Sequence, residues 1–346
     1  MKKTSLFRWL LYPFAALYGI ITYCRNKLYD WNMFKSTGFK QHLIGVGNLS
    51  SGGTGKTPHV EYLVNLWKNK YAIATLSRGY KRKTKGFVLA NERVSALDIG
   101  DEPMQIYRKF SDIEVAVGEK RVDASKRLLK KKPHIEVIVL DDVFQHRSIK
   151  LDVNILLTDF HQLFTNDHVL PMGNLREFRG GYKRANVIVI TKCPNDLLKD
   201  TQTKIIAAIR PFSHQRVLFS YLRYHQAYSF FDASAKLNWE SVEEILLVCG
   251  IAKPDKLMTY LSSKVEKVAT LFFGDHHDFK LEDLEKMKVQ FEGLQSSKKV
   301  IITTEKDAVR LDLFRDWLLD SGLEIYCLPI EVYFNEEDSV FLKGLI

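Results

Sequence analysis

The chain has 346 residues, with 51 lysines and arginines against 41 acids and a net charge of +10. Its length points to two domains of ordinary size, and its 46% hydrophobic and 27% charged residues exclude a disordered, collagenous or coiled-coil chain. Cys24, Cys193, Cys249 and Cys327 are too far apart for a Cys-x-x-Cys pair and too few to staple so long a chain, so a reducing compartment is expected. The positive excess favours an anionic partner, but charge alone does not choose among nucleic acid, phosphorylated metabolites and anionic lipid.

The first element is apolar. Lys2, Lys3 and Arg8 precede an uncharged run from Trp9 to Cys24, after which Arg25 and Lys27 restore charge. The arrangement is somewhat like a signal peptide, but no clear small-x-small cleavage site follows. The run is also short of the roughly 20 residues that a spanning helix needs. Residues 1–35 are therefore expected to form a helical segment that lies on a membrane surface, with its rings in the headgroup region and its cations on anionic phosphates. An ordinary buried helix is the alternative, and Pro13 is awkward for either.

His42 to Gly47 then reads as a short strand, followed by a Gly-rich turn and a helix from about Pro58 to Lys70 with Val60, Leu63, Val64 and Trp67 on one face. Continuous apolar runs follow at residues 72–76, 113–117, 137–140, 153–157 and 187–190. Such runs suit parallel strands covered on both faces. After Arg216 the pattern restarts, with strands expected at 217–221, 245–248, 269–273, 300–303 and 325–329. The predicted fold is α/β: a P-loop NTPase-like parallel sheet domain over 36–220, a smaller α/β domain over 221–346 that closes over the active site, and the N-terminal membrane-surface helix. A pairing of 217–222 with 331–334 is a further expectation.

Ser50 to Thr57 lies between the first strand and its helix, where backbone N–H groups and the helix N-terminus can surround phosphate oxygens. Gly52, Gly53 and Gly55 allow close approach, Lys56 would reach the β- and γ-phosphates, and the Thr57 hydroxyl would ligate Mg²⁺. Ser51 and Thr54 complete the candidate ATP-binding loop. The strict pattern has Gly where this chain has Ser50. Membrane ATPases of the positioning class carry a lysine near the start of the loop, where Ser51 stands here. The strand Val137 to Leu140 ends in Asp141-Asp142, the placement of acids that P-loop enzymes use to hold their metal.

The run Val46 to Pro58 resembles that of the tetraacyldisaccharide 4'-kinase family, including Ser in place of the first Gly. Ser77-Arg78-Gly79-Tyr80, Gly100-Asp101-Glu102-Pro103 and Asp141-Asp142-Val143-Phe144-Gln145-His146 follow in the family's order, with Val143 where the family usually has Gly. Leu170 to Glu177 is similar to the family's Leu-Pro-Ala-Gly-Pro-Leu-Arg-Glu, departing at Met172 and Asn174. Cys249 to Pro254, Asp275 to Phe279 and Thr304 to Ala308 complete the match.

The resemblance implies an enzyme on the cytoplasmic face of a Gram-negative inner membrane. It would transfer the ATP γ-phosphoryl group to the 4'-hydroxyl of tetraacyldisaccharide 1-phosphate in lipid A biosynthesis. It assigns the base role to Asp101, pairs His276 with Asp101 across the domain cleft, and places Arg121 near the phosphates. By sequence alone, the helix N-cap reading of Asp101 prevails over the catalytic one, and Arg121 reads equally as an exposed surface residue. Asp141 and Asp142 are assigned with Thr57 to Mg²⁺, and Gln145 and His146 follow closely enough to line the same pocket. Arg78, Lys81, Arg82, Lys83 and Lys85 are candidates for the substrate 1-phosphate or lipid phosphates, although a solvated loop explains most of them equally well. Thr191-Lys192 and Thr304 to Asp307 stand where loops approach nucleotide, with roles left open; Cys193 and Cys249 read as structural thiols.

The expected partners are the lipid A disaccharide and the anionic inner-membrane surface, with no obligate protein partner inferred. Nucleic acid is not expected, because no zinc-finger spacing or RNA-stacking motif accompanies the positive charge. The competing function is a membrane-associated P-loop ATPase switch without a lipid acceptor.

Overall fold

The computed structural model describes residues 9–251 and 254–346. Lys2, Lys3 and Arg8 of the N-terminal segment, and Ala252 and Lys253 of the Cys249 motif, lie outside the described residues. In chain order the strands are β1 (His42–Asn48), β2 (Ile73–Ser77), β3 (Val88–Leu89), β4 (Glu114–Val117), β5 (Val137–Asp141), β6 (Val153–Asp159), β7 (Val187–Cys193), β8 (Arg216–Tyr224), β9 (Tyr228–Ser229), β10 (Glu244–Cys249), β11 (Lys267–Phe272), β12 (Lys299–Thr304), β13 (Ile325–Leu328) and β14 (Ile330–Tyr333).

One sheet has the order β14-β8-β7-β6-β1-β5-β2-β4-β3. Strands β4, β2, β5, β1, β6, β7 and β8 run parallel, and the short β3 is antiparallel to β4. Successive side chains on a strand point to opposite faces, so each apolar run feeds two cores. On one face Ile44, Val46, Val139, Ile155 and Val189 meet Val60, Leu63, Val64 and Trp67 of the helix Lys56–Trp67. On the other, Leu43, Ile138 and Leu140 meet Ala124 and Leu128 of the helix Arg121–Lys131, while Leu156, Ile188 and Ile190 meet Ile205 and Ile209 of the helix Lys199–Ile209. Trp67 is only 1% exposed, and truncating it to Ala would cost about 3–5 kcal/mol.

A second sheet has the order β11-β10-β12-β13-β9, parallel except for β9. Leu246, Val248 and Ile301 face Leu284 and Met287 of the helix Leu281–Glu292, whereas Ile245, Leu247 and Ile302 face Leu257 and Leu261 of the helix Asp255–Ser262.

The compact units are discontinuous. The first holds the residues through Arg93 with Ile106–Arg223 and Val332–Ile346; the second holds Val94–Gln105 with Tyr224–Glu331. This division differs from contiguous domains at 36–220 and 221–346 in two places, each with a physical reason. β14 lies beside β8 in the large sheet, and Phe334, Phe341, Leu342 and Leu345 behind it join the core around Trp67. Residues 94–105 carry Asp101, whose ion-pair partner Arg310 belongs to the second unit.

The helix Tyr12–Asp30 belongs to the first unit. Pro13 falls in its first turn, where the missing N–H costs nothing because that donor has no intrahelical partner. Ala15 and Gly19 are buried, Gly19 so closely under Phe178 that a Cβ there would lie 2.4 Å from the ring. Trp9, Leu10, Tyr12, Phe14, Leu17, Ile20, Ile21 and Tyr23 are exposed, which overturns the buried-helix alternative. No described helix is long and apolar enough to cross a membrane.

Candidate active site

β1 ends at Asn48 and the helix Lys56–Trp67 begins seven residues into the glycine-rich turn. The register aligns Val46 of β1 with Asp141 of β5 and Asn48 with Leu157 of β6, so the turn and the paired acids leave neighbouring strands at the same edge of the sheet. Gly52 (φ 132°) and Gly55 (φ 84°) have backbone that residues with a Cβ rarely adopt. The turn is tied down by its own polar groups. The Ser51 N–H and Oγ–H donate to the Asn174 carbonyl at 2.6 and 3.1 Å, and Asn48 Nδ2 donates to Thr54 Oγ1 at 2.9 Å. Ser50, at the position of the missing glycine, forms a β-bridge with Leu175.

Lys56 Nζ lies 3.5 Å from Asp142 Oδ1. Arg176 Nη1 donates to both oxygens of Asp142, at 2.9 and 3.0 Å. Burial pushes the Asp142 carboxyl pKa upward, but the charges of Lys56 and Arg176 prevail and hold it below the ordinary carboxylate range. Asp142 also adopts a left-handed backbone (φ 49°), a strained state that persists only where surrounding contacts enforce it. The next residue, Val143, is buried against Gly45, where a Cβ would lie 2.7 Å from its methyl group; the valine is accommodated without a left-handed backbone of its own.

Thr57 and Asp141 are both buried. A hydroxyl in the first turn of the helix Lys56–Trp67 and two carboxylates at the end of β5 are hard oxygen donors, of the kind Mg²⁺ uses together with phosphate oxygens and water. Among the described residues no group of three or more His, Cys, Asp or Glu is gathered. The donor set fits an ion that is shared with nucleotide phosphates rather than held in an all-protein cage.

Arg121 is 1% exposed, not a surface residue. It donates to the Gly118 carbonyl at 2.5 Å and the Asp141 carbonyl at 3.2 Å, bracing the backbone behind the acids, and burial pulls its pKa down to about 10. Gln145 spends its amide group on the Asn48 carbonyl at 2.9 Å and on Glu177 at 3.2 Å. Glu177 in turn accepts from Asn26 of the N-terminal helix at 2.6 Å and from Arg184 at 2.8 Å. Lys192, with a left-handed backbone (φ 59°), donates to Asp159 at 2.9 Å and to the Gly53 carbonyl. Within the basic cluster, Arg82 is consumed by Glu119 and the Gly86 carbonyl, whereas Arg78, Lys81, Lys83 and Lys85 are exposed.

In the second unit, Asp101 begins the helix Asp101–Lys109, and His276, also left-handed (φ 58°), places Nδ1 3.3 Å from Asp101 Oδ2. The pair lies within one unit instead of across a cleft, because residues 94–105 belong to the second unit. Two residues that the sequence reading did not assign complete the cluster: Arg310 donates to Asp101 Oδ2 and lies 2.7 Å from His276 Nδ1, and Lys306 Nζ sits 3.0 Å from His276 Nε2. Arg310 also donates to the His277 carbonyl at 3.0 Å. Burial pushes the Asp101 pKa up, but the hydrogen bonds and charges of His276 and Arg310 outweigh it and hold the carboxylate low. Asp307 has a different job: Thr304 donates to it at 2.7 Å and the Gly250 N–H at 3.0 Å, stitching the end of β12 to the turn after β10. Cys193 and Cys249 are buried, and burial pushes the Cys249 thiol up to about 12.

A glycine loop that opens a helix at the end of a central parallel strand, with acids ending the adjacent strand, defines a P-loop NTPase-like phosphate-handling α/β enzyme. The profile of the family described as tetraacyldisaccharide-1-P 4'-kinase matches residues 7–345, and the chain belongs to that family. It is 44% identical over 349 residues to a tetraacyldisaccharide 4'-kinase of Bacteroides fragilis, covering 98% of this chain and 92% of that one. To the enzyme of the same description from Flavobacterium johnsoniae it is 45% identical over 337 residues, covering 97% and 96%. The crystal structure of the "apo" form of LpxK from Aquifex aeolicus in complex with ATP superposes with a TM-score of 0.77 at 28% identity, over 98% of each chain.

Proposed function

We propose that the chain transfers the γ-phosphoryl group of ATP to the 4'-hydroxyl of tetraacyldisaccharide 1-phosphate in lipid A biosynthesis, with Asp101 as the base. Phosphoryl transfer asks an enzyme mainly for positioning and charge stabilisation. The Ser51 to Thr57 loop is assigned to the ATP phosphates, with Lys56 meeting the charge that develops on the transferred group. Thr57 and Asp141 or Asp142 would hold Mg²⁺, which when bound neutralises phosphate charge. Arg121 adds positive charge behind Asp141, and Gln145 fixes the Asn48 carbonyl at the root of the loop.

The 4'-hydroxyl oxygen attacks the γ-phosphorus, the bond to the β,γ-bridging oxygen breaks, ADP leaves, and the hydroxyl proton passes to Asp101. The observation that carries the base assignment is the Asp101 cluster: His276 and Arg310 both contact Oδ2, which assigns Oδ1 to the incoming hydroxyl. His276 is read as the orienting partner. Because loop and base reside on different units, the smaller unit is assigned the role of closing during turnover.

The exposed apolar side chains of Tyr12–Asp30, with Arg25 and Lys27 beside them, support placement on the anionic cytoplasmic surface of the inner membrane of a Gram-negative bacterium. No obligate protein partner is assigned. The test of the base is Asp101→Ala: kcat should fall by about a hundred- to ten-thousandfold, the usual contribution of a positioned general base, while MgATP affinity is retained. Near-normal kcat would remove Asp101 from the chemistry.

A further inference from the structure

His59 is the fourth residue of the helix that the phosphate loop opens, and only 4% of it is exposed. Its Nδ1 lies 2.7 Å from the Gly55 carbonyl oxygen and its Nε2 lies 2.9 Å from Ser220 Oγ on β8. A carbonyl only accepts, so Nδ1 carries the ring proton. Nε2 then offers a lone pair, and the Ser220 hydroxyl donates to it. Ser220 Oγ is also 3.3 Å from the Ile190 carbonyl, a longer contact that the same single proton cannot serve at once. Phe334 meets the imidazole edge-on, with ring centroids 6.1 Å apart, and Tyr62 packs on Phe334 at 4.9 Å, which holds the ring plane.

Gly55 is the left-handed residue where loop becomes helix. Its carbonyl accepts from the His59 backbone N–H at a long 3.3 Å, so the imidazole supplies the shorter bond. In a trans peptide the carbonyl and the following N–H point in opposite directions. Drawing the Gly55 carbonyl toward His59 therefore turns the Lys56 N–H the other way, and it is one of the helix N-terminal donors that bind phosphate.

We propose that His59 is a positioning residue of the phosphate loop, braced on β8 by Ser220 and holding the Gly55–Lys56 peptide in the orientation that binds the ATP phosphates. The inference rests on assigning the loop to those phosphates. Lys56→Ala tests that assignment separately: normal MgATP binding by that variant would sink the assignment whatever His59 does.

The side chain of Asn reaches where Nδ1 stands, and that of Gln where Nε2 stands. In the full-length protein, His59→Asn retains a donor for Gly55 and should bind MgATP within about threefold of the parent, whereas His59→Gln and His59→Leu should bind about tenfold more weakly, the loss of one hydrogen bond. Calorimetric MgATP titration, the KM for ATP and the KM for lipid are compared with thermal unfolding of each variant, and the lipid KM should not change. Equal affinities for the Asn and Gln variants, or parental affinity in the Leu variant, would overturn the proposal. Should the His59 variants fail to fold, Ser220→Ala keeps the ring and removes only the hydroxyl that braces its Nε2. Weakened MgATP binding with an unchanged lipid KM then supports the proposal, and unchanged affinity overturns it.

Discussion

The carboxylate of Asp101 is ion-paired with the guanidinium of Arg310, a residue 209 positions later in the chain. Both side chains are largely withdrawn from water, with 12% and 3% of their surfaces exposed. A carboxylate so paired stays ionised, the form that can accept a proton, and the arginine lowers the pH at which that form is lost.

Burial raises the Asp101 pKa and the contacts with His276 and Arg310 lower it further than burial raises it. A depressed pKa means that the stabilisation from this group is present above the unfolded-state value of about 3.9 and is lost as pH falls through the folded value. The acid limb of kcat therefore lies below the ordinary carboxylate range. Arg310→Met should move that limb to higher pH, since burial then acts unopposed by the guanidinium, and should cost roughly 3 kcal/mol of stability by leaving a buried charge without its partner. Rate profiles and urea unfolding of the two proteins check both outcomes; an unmoved limb would mean that Asp101 does not govern it.

Arg176 grips both oxygens of Asp142. Arg176→Ala frees that carboxylate to rotate, and the Mg²⁺ concentration for half-maximal activity should rise about tenfold or more, the scale set by loss of a group that orients a metal ligand. Activity titrated against Mg²⁺ at saturating ATP is the measurement, and an unchanged midpoint would detach Asp142 from the metal.

His59 and His146 are both held to a pKa of about 4, chiefly by burial, although a histidine in the unfolded chain titrates near 6.5. The unfolded state therefore binds more protons between these values. Stability contributed by the neutral rings is intact above pH 6.5 and declines as pH falls toward 4, by about 1.4 kcal/mol per pH unit for each ring. Urea unfolding at pH 7 and pH 5 should show the loss, and His146→Gln should reduce its slope.

The N-terminal helix presents Phe14, Leu17 and Ile21 to solvent. Each apolar side chain transferred to lipid is worth about 1.5–3 kcal/mol. Leu17→Asp with Ile21→Asp should therefore abolish measurable cosedimentation with anionic vesicles while MgATP binding by the phosphate loop is retained. Undiminished vesicle binding would place membrane contact elsewhere.

The longer parallel strands of both sheets were legible because they are continuous apolar runs, the signature of a parallel strand buried on two faces. The two-residue β3 and β9 carry no such pattern and exist only through pairing with β4 and β13. Lys56, Asp141 and Asp142 stood out through spacing and position. Arg310 did not, because an arginine on a helix looks like an ordinary solvent-facing charge until tertiary contacts carry it to His276 and Asp101, and Lys306, within the Thr304 to Asp307 segment, stood out without a role. The left-handed backbones of Asp142 and His276 were equally hidden, since neither residue is glycine. The expected pairing of 217–222 with 331–334 is present as β8 beside β14, and it carries the chain end into the first unit, whereas a single boundary near residue 220 assigns that end to the second.

The most direct test incubates the purified protein with γ-labelled ATP, Mg²⁺ and tetraacyldisaccharide 1-phosphate in detergent micelles and follows label into the lipid phase. Label should appear on the 4'-oxygen of the disaccharide with the parent protein and be lost with Lys56→Ala and Asp101→Ala. ATP hydrolysis without labelled lipid would contradict the account.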